Sequence, residues 1–325
     1  MSETLLDIKN LVIHYETDSG IVEAVNGMNL ALSRGQSLGL VGETGAGQTT
    51  TALGILRLLS EPPARIISGE IHFEGRDVLA MDKETLRKYR GKKVSMIFQD
   101  PMTSLNPVMT IGEQVMESLQ IHEPHLSREE LAAKAQGTLE KVGIRVERFN
   151  DYPHQFSGGM KQRVVIAIAL CCNPELLIAD EPTTALDVTI QAQVLDMINN
   201  LKKKFNTAMM LITHDLGVVA ETCDMVAVIY AGQVVEYASK EELFDNKKHP
   251  YTQGLFSSVP SLKDDAKRLK PIPGLPPDPT SLSKGCAFHP RCPYATETCK
   301  HVSPELREIT PGHLCRCHRT DGQEG

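Results

Sequence analysis

Two rhythms of apolar and polar positions divide the chain. Residues 5–15 alternate with the period of a strand, break at Asp18-Ser19-Gly20 and resume over residues 21–25, which predicts a hairpin. A second hairpin is expected over residues 68–76. Short apolar runs at 38–41, 94–98, 176–179 and 208–213 read as buried strands. Elsewhere the period is helical. It marks a charged helix over 83–90, an apolar helix over 164–172 and another helix over 189–205. A block from 110 to 150 carries Ile111, Val115, Leu119, Leu131, Leu139 and Val142 at helical spacing. Because strand-rich stretches lie on both sides, this block reads as a helical insertion in an α/β fold.

One junction carries chemistry. The apolar run 38–41 feeds into Gly42-Glu43-Thr44-Gly45-Ala46-Gly47-Gln48-Thr49-Thr50, and residues 51–56 continue with helical spacing. Strand, glycine loop and helix form the context of a phosphate-binding loop. Glycines let backbone amides surround phosphate oxygens, and the helix start adds its partial positive charge. The Thr49 hydroxyl is placed to ligand Mg²⁺. The pattern G-x-x-x-x-G-K-[ST] has Lys where this chain has Gln48. A neutral amide still donates hydrogen bonds to phosphate but brings no charge. Taken alone, the stretch is also readable as a structural glycine turn.

Other strand ends add to the picture. The run 94–98 ends at Gln99, the run 176–179 at Asp180-Glu181-Pro182, and the run 208–213 at His214-Asp215. The first acid of the pair can reach Mg²⁺, directly or through water, and the second can orient and polarise a water beside a γ-phosphate. The alternative is a polar strand end with a helix-capping Asp. A lone His at a strand terminus is commonly structural, and Tyr15 is either a cross-strand aromatic or a flat surface for a base. Open α/β sheets bind ligands at the carboxyl ends of their strands, and three such ends here carry phosphate-compatible groups.

Composition narrows the class. A chain of 325 residues with 41% hydrophobic content can bury a sizeable core and hold more than one domain. The net charge of −7 argues against a nucleic-acid partner. The longest apolar run, 164–172, is too short to span a membrane. The opening Met1-Ser2-Glu3-Thr4 is polar and acidic, unlike a signal peptide, so a cytosolic protein is expected unless a partner tethers it. In that compartment the eight cysteines are not expected as disulfides. Five of them crowd into the last 40 residues.

In their order along the chain these motifs resemble the ATP-binding subunits of ABC transporters, most closely the oligopeptide/dipeptide importer family. The matching motifs are the glycine loop from Gly42 to Thr49, Phe98-Gln99-Asp100-Pro101, and the signature Phe156-Ser157-Gly158-Gly159-Met160-Lys161-Gln162-Arg163. They continue with Leu177-Ile178-Ala179-Asp180-Glu181-Pro182, Ala185-Leu186-Asp187, His214 and, near the start, Tyr15. Asp100-Pro101-Met102-Thr103-Ser104-Leu105-Asn106-Pro107, His249-Pro250-Tyr251-Thr252 and the Pro-rich, Cys-bearing tail resemble the peptide-importer branch in particular.

The resemblance implies an ABC-type P-loop ATPase core over residues 1–260, with a β-rich N-terminal subdomain and a helical insertion at about 100–158. An irregular Cys-rich tail is expected over 261–325. It implies ATP held by Tyr15, Gly42, Thr44, Gly45, Ala46, Gly47, Gln48, Thr49 and Thr50, with Mg²⁺ among Thr49, Gln99 and Asp180. Glu181 would be the general base, and His214 would sense the γ-phosphate. Ser157, Gly158 and Gly159 would bind the γ-phosphate of ATP held by the other subunit of a head-to-tail dimer. The partners implied are a sister ATPase, two membrane permease subunits and an extracytoplasmic peptide-binding protein, which place the chain at the cytoplasmic face of the membrane. Family members bridge the β- and γ-phosphates with Lys at the position of Gln48, so impaired hydrolysis is expected. Import of nickel or another small solute is an alternative reading, as is a regulatory subunit that binds ATP without hydrolysing it. Non-transport ABC ATPases usually carry two cassettes or a long coiled-coil insert, and this chain has neither.

The tail has its own chemistry. The spacing Cys286-x5-Cys292-x6-Cys299, followed by Cys315-Arg316-Cys317-His318, lacks the paired C-x2-C knuckles of most structural zinc sites. Four thiolates can chelate iron or zinc and organise a segment with little core of its own; unliganded thiols are the third possibility. Tails of this kind in the peptide-importer family can hold a [4Fe–4S] cluster with similar spacing. That resemblance assigns Cys286, Cys292, Cys299 and Cys317 as ligands.

Overall fold

The computed structural model describes residues 3–184, 187–257 and 271–320. Ala185 and Leu186 of the expected loop after the acidic strand end, and residues 258–270 at the start of the tail, lie outside the described residues. The chain folds as two compact units. One comprises Met1–Glu3, Ser33–Gln36 and Ala80–Leu211; the other comprises Thr4–Leu32, Ser37–Leu79 and Ile212–Gly325. The second contains the glycine loop, and the first contains the signature and the acidic strand end.

The loop-bearing unit begins with β1 (Thr4–Thr17), β2 (Gly20–Ser33), β3 (Ser37–Val41), α1 (Gln48–Ile55), β4 (Ala64–Phe73) and β5 (Arg76–Asp77). A four-stranded sheet in the order β2-β1-β4-β5 is the expected β-rich subdomain. Its β1 and β4 run antiparallel, with Leu6 opposite Phe73 and Ile8 opposite Ile71, and all four side chains are buried. The alternation seen along residues 5–15 is this buried face.

The signature-bearing unit contains α2 (Lys83–Tyr89), β6 (Val94–Ile97), α3 (Pro101–Ser104), α4 (Ile111–His122), α5 (Arg128–Lys141), α6 (Gly158–Leu170), β7 (Leu176–Asp180), α7 (Val188–Phe205) and β8 (Ala208–Ile212). β6 and β7 pair in parallel from Val94 opposite Leu176 to Ile97 opposite Ala179, with every residue buried. Unbroken apolar runs are what a parallel strand covered on both faces requires. The helical block starts twice, each time with a reciprocal cap: Thr110 with Glu113 on α4, and Ser127 with Glu130 on α5.

The loop-bearing unit resumes with α8 (Leu216–Thr222), β9 (Met225–Tyr230), β10 (Gln233–Ser239), α9 (Lys240–Asn246), α10 (Pro250–Ser257), α11 (Glu297–His301), β11 (Arg307–Thr310) and β12 (His313–Cys315). β3 lies parallel to β9, β9 antiparallel to β10, and β10 antiparallel to β12. The described part of the tail, residues 271–320, closes in the β11–β12 hairpin, which adds to the edge of β10. That docking buries a charged group. Glu236 on β10 is fully enclosed and accepts the Lys248 N–H at 2.6 Å, the His249 N–H at 3.0 Å and His313 Nε2 of β12 at 2.8 Å. A buried carboxylate persists when its lone pairs are taken in this way.

His249 is enclosed beside this network. Burial drives its pKa down to about 3, and Nδ1 accepts the Tyr251 N–H at 3.1 Å, so the ring is neutral in the folded state. An unfolded His titrates near ~6.5. The folded value lies below the unfolded one, so the unfolded state binds more protons between these pH values. Stability from this group is therefore full above pH ~6.5 and is lost as the pH falls toward about 3, by roughly 1 kcal/mol per pH unit. His249→Asn removes the titration, and its urea midpoint is expected to fall less steeply than the parent's between pH 6.5 and 4.5. Parallel slopes would contradict the assignment.

Candidate nucleotide site

The glycine loop is shaped by close backbone approach. Gly47 caps α1 in a left-handed conformation with φ 101°. A Cβ on Gly47 would lie 2.3 Å from the Ala24 carbonyl oxygen of β2, and one on Gly42 would lie 2.4 Å from the Ile229 carbonyl oxygen of β9. Neither position admits a side chain. The loop is further tied by Ala46 N–H to Glu43 O at 3.1 Å, Gly232 N–H to Ala46 O at 3.0 Å, and the Thr51 hydroxyl to Gly47 O at 2.8 Å. Thr44, Gly45 and Thr49 are exposed on this loop. Gln48 is buried within the turn, its Nε2 3.5 Å from the Gly42 carbonyl oxygen. The amide thus occupies the loop interior without supplying a charge. Tyr15 reaches the same helix, its hydroxyl 3.3 Å from that of Thr50.

The acidic strand end lies in the signature-bearing unit. Asp180, the last residue of β7, is 3% exposed. Glu181 follows in a left-handed backbone conformation, φ 45°, which strains a residue with a Cβ and occurs chiefly where surrounding contacts impose it. Its Oε2 accepts from Gln99 Nε2 and from the Thr184 hydroxyl, each at 2.9 Å. Gln99 at the end of β6 and Glu181 at the end of β7 therefore meet directly, as parallel neighbouring strands allow. Gln162 of α6 is 1% exposed and donates Nε2 to the Pro182 carbonyl at 2.5 Å. The signature helix is thereby pinned to the acidic segment. Ser157 stands at the N-terminal position of α6 without a side-chain cap bond and is exposed, with Gly158 beside it also exposed. A Cβ on Gly159 would lie 2.7 Å from Ile190 Cγ2 of α7, whereas one on Gly158 would meet nothing within 4 Å. Packing against Ile190 explains Gly159; among the described residues nothing lies within 4 Å of a Cβ on Gly158. Exposed His214 follows β8, and Asp215 caps α8 by accepting the Gly217 and Val218 N–H groups.

Sequence reading found these residue types but missed three features. The positive φ of Glu181 leaves no trace in residue identity. Gln162 had a signal, a polar side chain beside a long apolar helical run. Thr184 had none, since Thr is ordinary in a loop.

In the tail, burial pushes the Cys286 thiol up to about 11; a Phe288 N–H opposes this, and the neighbouring thiols of Cys299, Cys317 and Cys292 add to it. Burial likewise raises Cys317, which also feels Cys292 and Cys299. These four thiols thus lie within electrostatic reach of one another. Cys315 is buried in β12, opposite Glu236 of β10. Among the described residues, no three His, Cys, Asp or Glu side chains converge tightly enough to hold a single metal ion.

A glycine loop opening a helix, an acidic pair closing a buried strand and a glycine-started signature helix are the parts of an α/β nucleotide-binding ATPase. Comparisons with known proteins agree. Residues 25–184 match the ABC transporter family, and residues 235–299 match the oligopeptide/dipeptide transporter C-terminal region. A probable peptide ABC transporter ATP-binding protein of Sinorhizobium fredii is 49% identical over 98% of this chain and 96% of its own length. The oligopeptide transport ATP-binding protein OppD of Haemophilus influenzae is 48% identical over 96% of each chain. OppD of Escherichia coli is 47% identical over 98% of this chain and 94% of its own. The dimeric ATP-binding cassette MJ0796, solved in a post-hydrolysis state with ADP and Pi, matches with a TM-score of 0.65 at 26% identity, covering 73% of this chain and 99% of that one. The chain belongs to the ABC transporter ATP-binding proteins, in their oligopeptide/dipeptide group.

The loop geometry separates two neighbouring glycines. Gly45→Ala meets no atom within 4 Å and suffers only its positive φ, so a loss of about 1 kcal/mol is expected. Gly47→Ala adds a collision with backbone and is expected to cost roughly 3 kcal/mol or more. Equal denaturation midpoints for the two variants would rule out this account of the loop.

Proposed function

We propose that the chain is the ATP-binding and hydrolysing subunit that powers ABC-type import of short peptides. The observation that carries this reading is the full-length likeness to oligopeptide transport ATP-binding proteins, tail included. Among the described residues no helix is long and apolar enough to cross a membrane, which suits a peripheral subunit at the cytoplasmic face bound to two permease subunits. A peptide-binding protein on the far side would deliver cargo, and a sister ATPase would complete the dimer. The dimeric state of the MJ0796 cassette supports a paired arrangement.

Within that assembly the residues take distinct roles. Tyr15 offers a face to the adenine. The amides of Gly45, Gly47, Gln48 and Thr49 surround the phosphates, and Gly47 starts α1 toward them. The Thr49 hydroxyl, the buried Asp180 carboxylate and Gln99 are hard oxygen donors suited to Mg²⁺. That ion neutralises charge developing on the phosphate oxygens. Glu181 accepts a proton from the attacking water, and its bond to Gln99 keeps its carboxylate oriented. His214 contacts the γ-phosphate. Ser157, Gly158 and Gly159 address the γ-phosphate of nucleotide bound by the sister subunit; the open space beside Gly158 supports an approach from outside the chain.

Gln48 weakens this machinery at one point. A hydrogen bond to a charged group contributes on the order of 1.5–3 kcal/mol, and the missing cation acts where transition-state charge grows. In the assembled complex Gln48→Lys should raise ATPase turnover roughly 10- to 100-fold. Equal steady-state turnover of the two proteins would sink the assignment of position 48.

In the tail, Cys286, Cys292, Cys299 and Cys317 fit the donor set of a [4Fe–4S] cluster. Their mutual electrostatic influence supports this, as does the commitment of Cys315 to sheet pairing. The cluster's role is a structural clip. Anaerobic preparations should carry about four irons per chain and lose them in Cys286→Ser, while Cys315→Ser retains them. Stoichiometric zinc without iron would overturn the cluster.

A further inference from the structure

Arg291 of the Cys-rich tail reaches the glycine loop. Arg291 ends a short turn, His289–Arg291, directly before Cys292, and its side chain is 5% exposed. Nη1 donates to Glu43 Oε2 at 2.6 Å and Nη2 to Glu43 Oε1 at 3.0 Å, a bidentate pair. Nε donates to the Pro273 carbonyl at 3.1 Å, and Nη1 lies 3.4 Å from the Tyr230 hydroxyl. Glu43 is the second residue of the glycine loop, and its own N–H donates to the Tyr251 hydroxyl at 2.9 Å. The rings of Tyr230, Tyr251 and Phe288 pack together beside the pair, with centroids 4.5–5.5 Å apart.

An apolar side chain at position 291 would cover the same surface without the cost of desolvating a guanidinium. What the planar fork adds is direction. It sets the orientation of the Glu43 carboxylate while the Tyr251 hydroxyl sets the Glu43 amide, so both side chain and backbone of this residue are held from outside the loop. Glu43 lies between Gly42, pressed on the Ile229 carbonyl, and the exposed Thr44-Gly45 turn whose amides face the phosphates in the reading above. We infer that Arg291 is a positioning residue for nucleotide: through Glu43 the tail sets the conformation of the phosphate loop, and affinity for ATP depends on this pair. The inference rests on the nucleotide-binding role of the loop and holds whatever the tail thiols ligate.

The test is a double-mutant cycle on the full chain, with ATP dissociation constants measured by titration well below the melting temperature. The parent carries Gln48→Lys in one series and the present sequence in the other. Arg291→Gln and Glu43→Gln should each weaken ATP binding about tenfold, and the double variant should be no weaker than either single one. Arg291→Lys keeps the charge but loses the fork, and should fall between the parent and Arg291→Gln; it also serves if Arg291→Gln does not fold. A merely structural role would lower the melting temperature and leave the dissociation constant unchanged in the folded variants. That result overturns the inference, as do losses that multiply in the double variant. Absence of ATP binding in both parents would instead reject the nucleotide reading of the loop, and this inference with it.

Discussion

Backbone pressed against backbone at the glycine loop is the constraint on which the rest of the site depends. The Cα hydrogens of Gly42 and Gly47 face the carbonyl oxygens of Ile229 and Ala24 at distances that leave no room for a methyl group. The Asn26 N–H donates to Gly232 O, and the Gly232 N–H to Ala46 O, so β2, the loop and the β9–β10 turn meet at one place. These contacts are made by backbone alone. To these backbone contacts the Gln48 amide adds one from its side chain, Nε2 lying 3.5 Å from the Gly42 carbonyl oxygen. Preorganised donors keep their value for binding, whereas a missing cation is felt most where charge develops.

Much of the fold was legible because it is local. The runs 94–98 and 176–179 are continuous and apolar, and they pair in parallel as fully buried strands. The loop junction was legible for the same reason, since strand, glycines and helix are adjacent in the chain. The closing hairpin of the tail was not legible. β12 is three residues long, and its partner β10 lies more than seventy residues earlier, so nothing in the periodicity of either announces the pairing. Burial of polar groups was the second blind spot. Glu236, Arg291 and Gln162 look like surface residues until the partners that enclose them are in place, and burial of a polar group is decided by those partners rather than by its own identity.

The strain at Glu181 belongs with that lesson. A left-handed Glu is unfavourable in isolation, yet here its carboxylate is gripped by Gln99 and Thr184 while Gln162 holds the next carbonyl. Three polar side chains, drawn from the end of β6, the signature helix and the loop after β7, fix one residue. Displacing any one of them moves the carboxylate by changing what opposes the strain. The signature helix thus does more than present Ser157 and Gly158: through Gln162 it is mechanically continuous with the acidic segment.

The tail stands in a comparable relation to the glycine loop. Two of its attachments, His313 on the enclosed Glu236 and Arg291 on Glu43, use ionisable side chains removed from water. Apolar pairs at these places would give as much stability with less demand on geometry. What charge supplies is register, because a bidentate or multiply bonded carboxylate accepts one arrangement and penalises its neighbours. One anchor fixes the β12 hairpin on the sheet; the other fixes the turn that carries Cys292 against the phosphate loop. Any group gathered by the tail thiols is therefore built onto a segment that Arg291 already joins to Glu43.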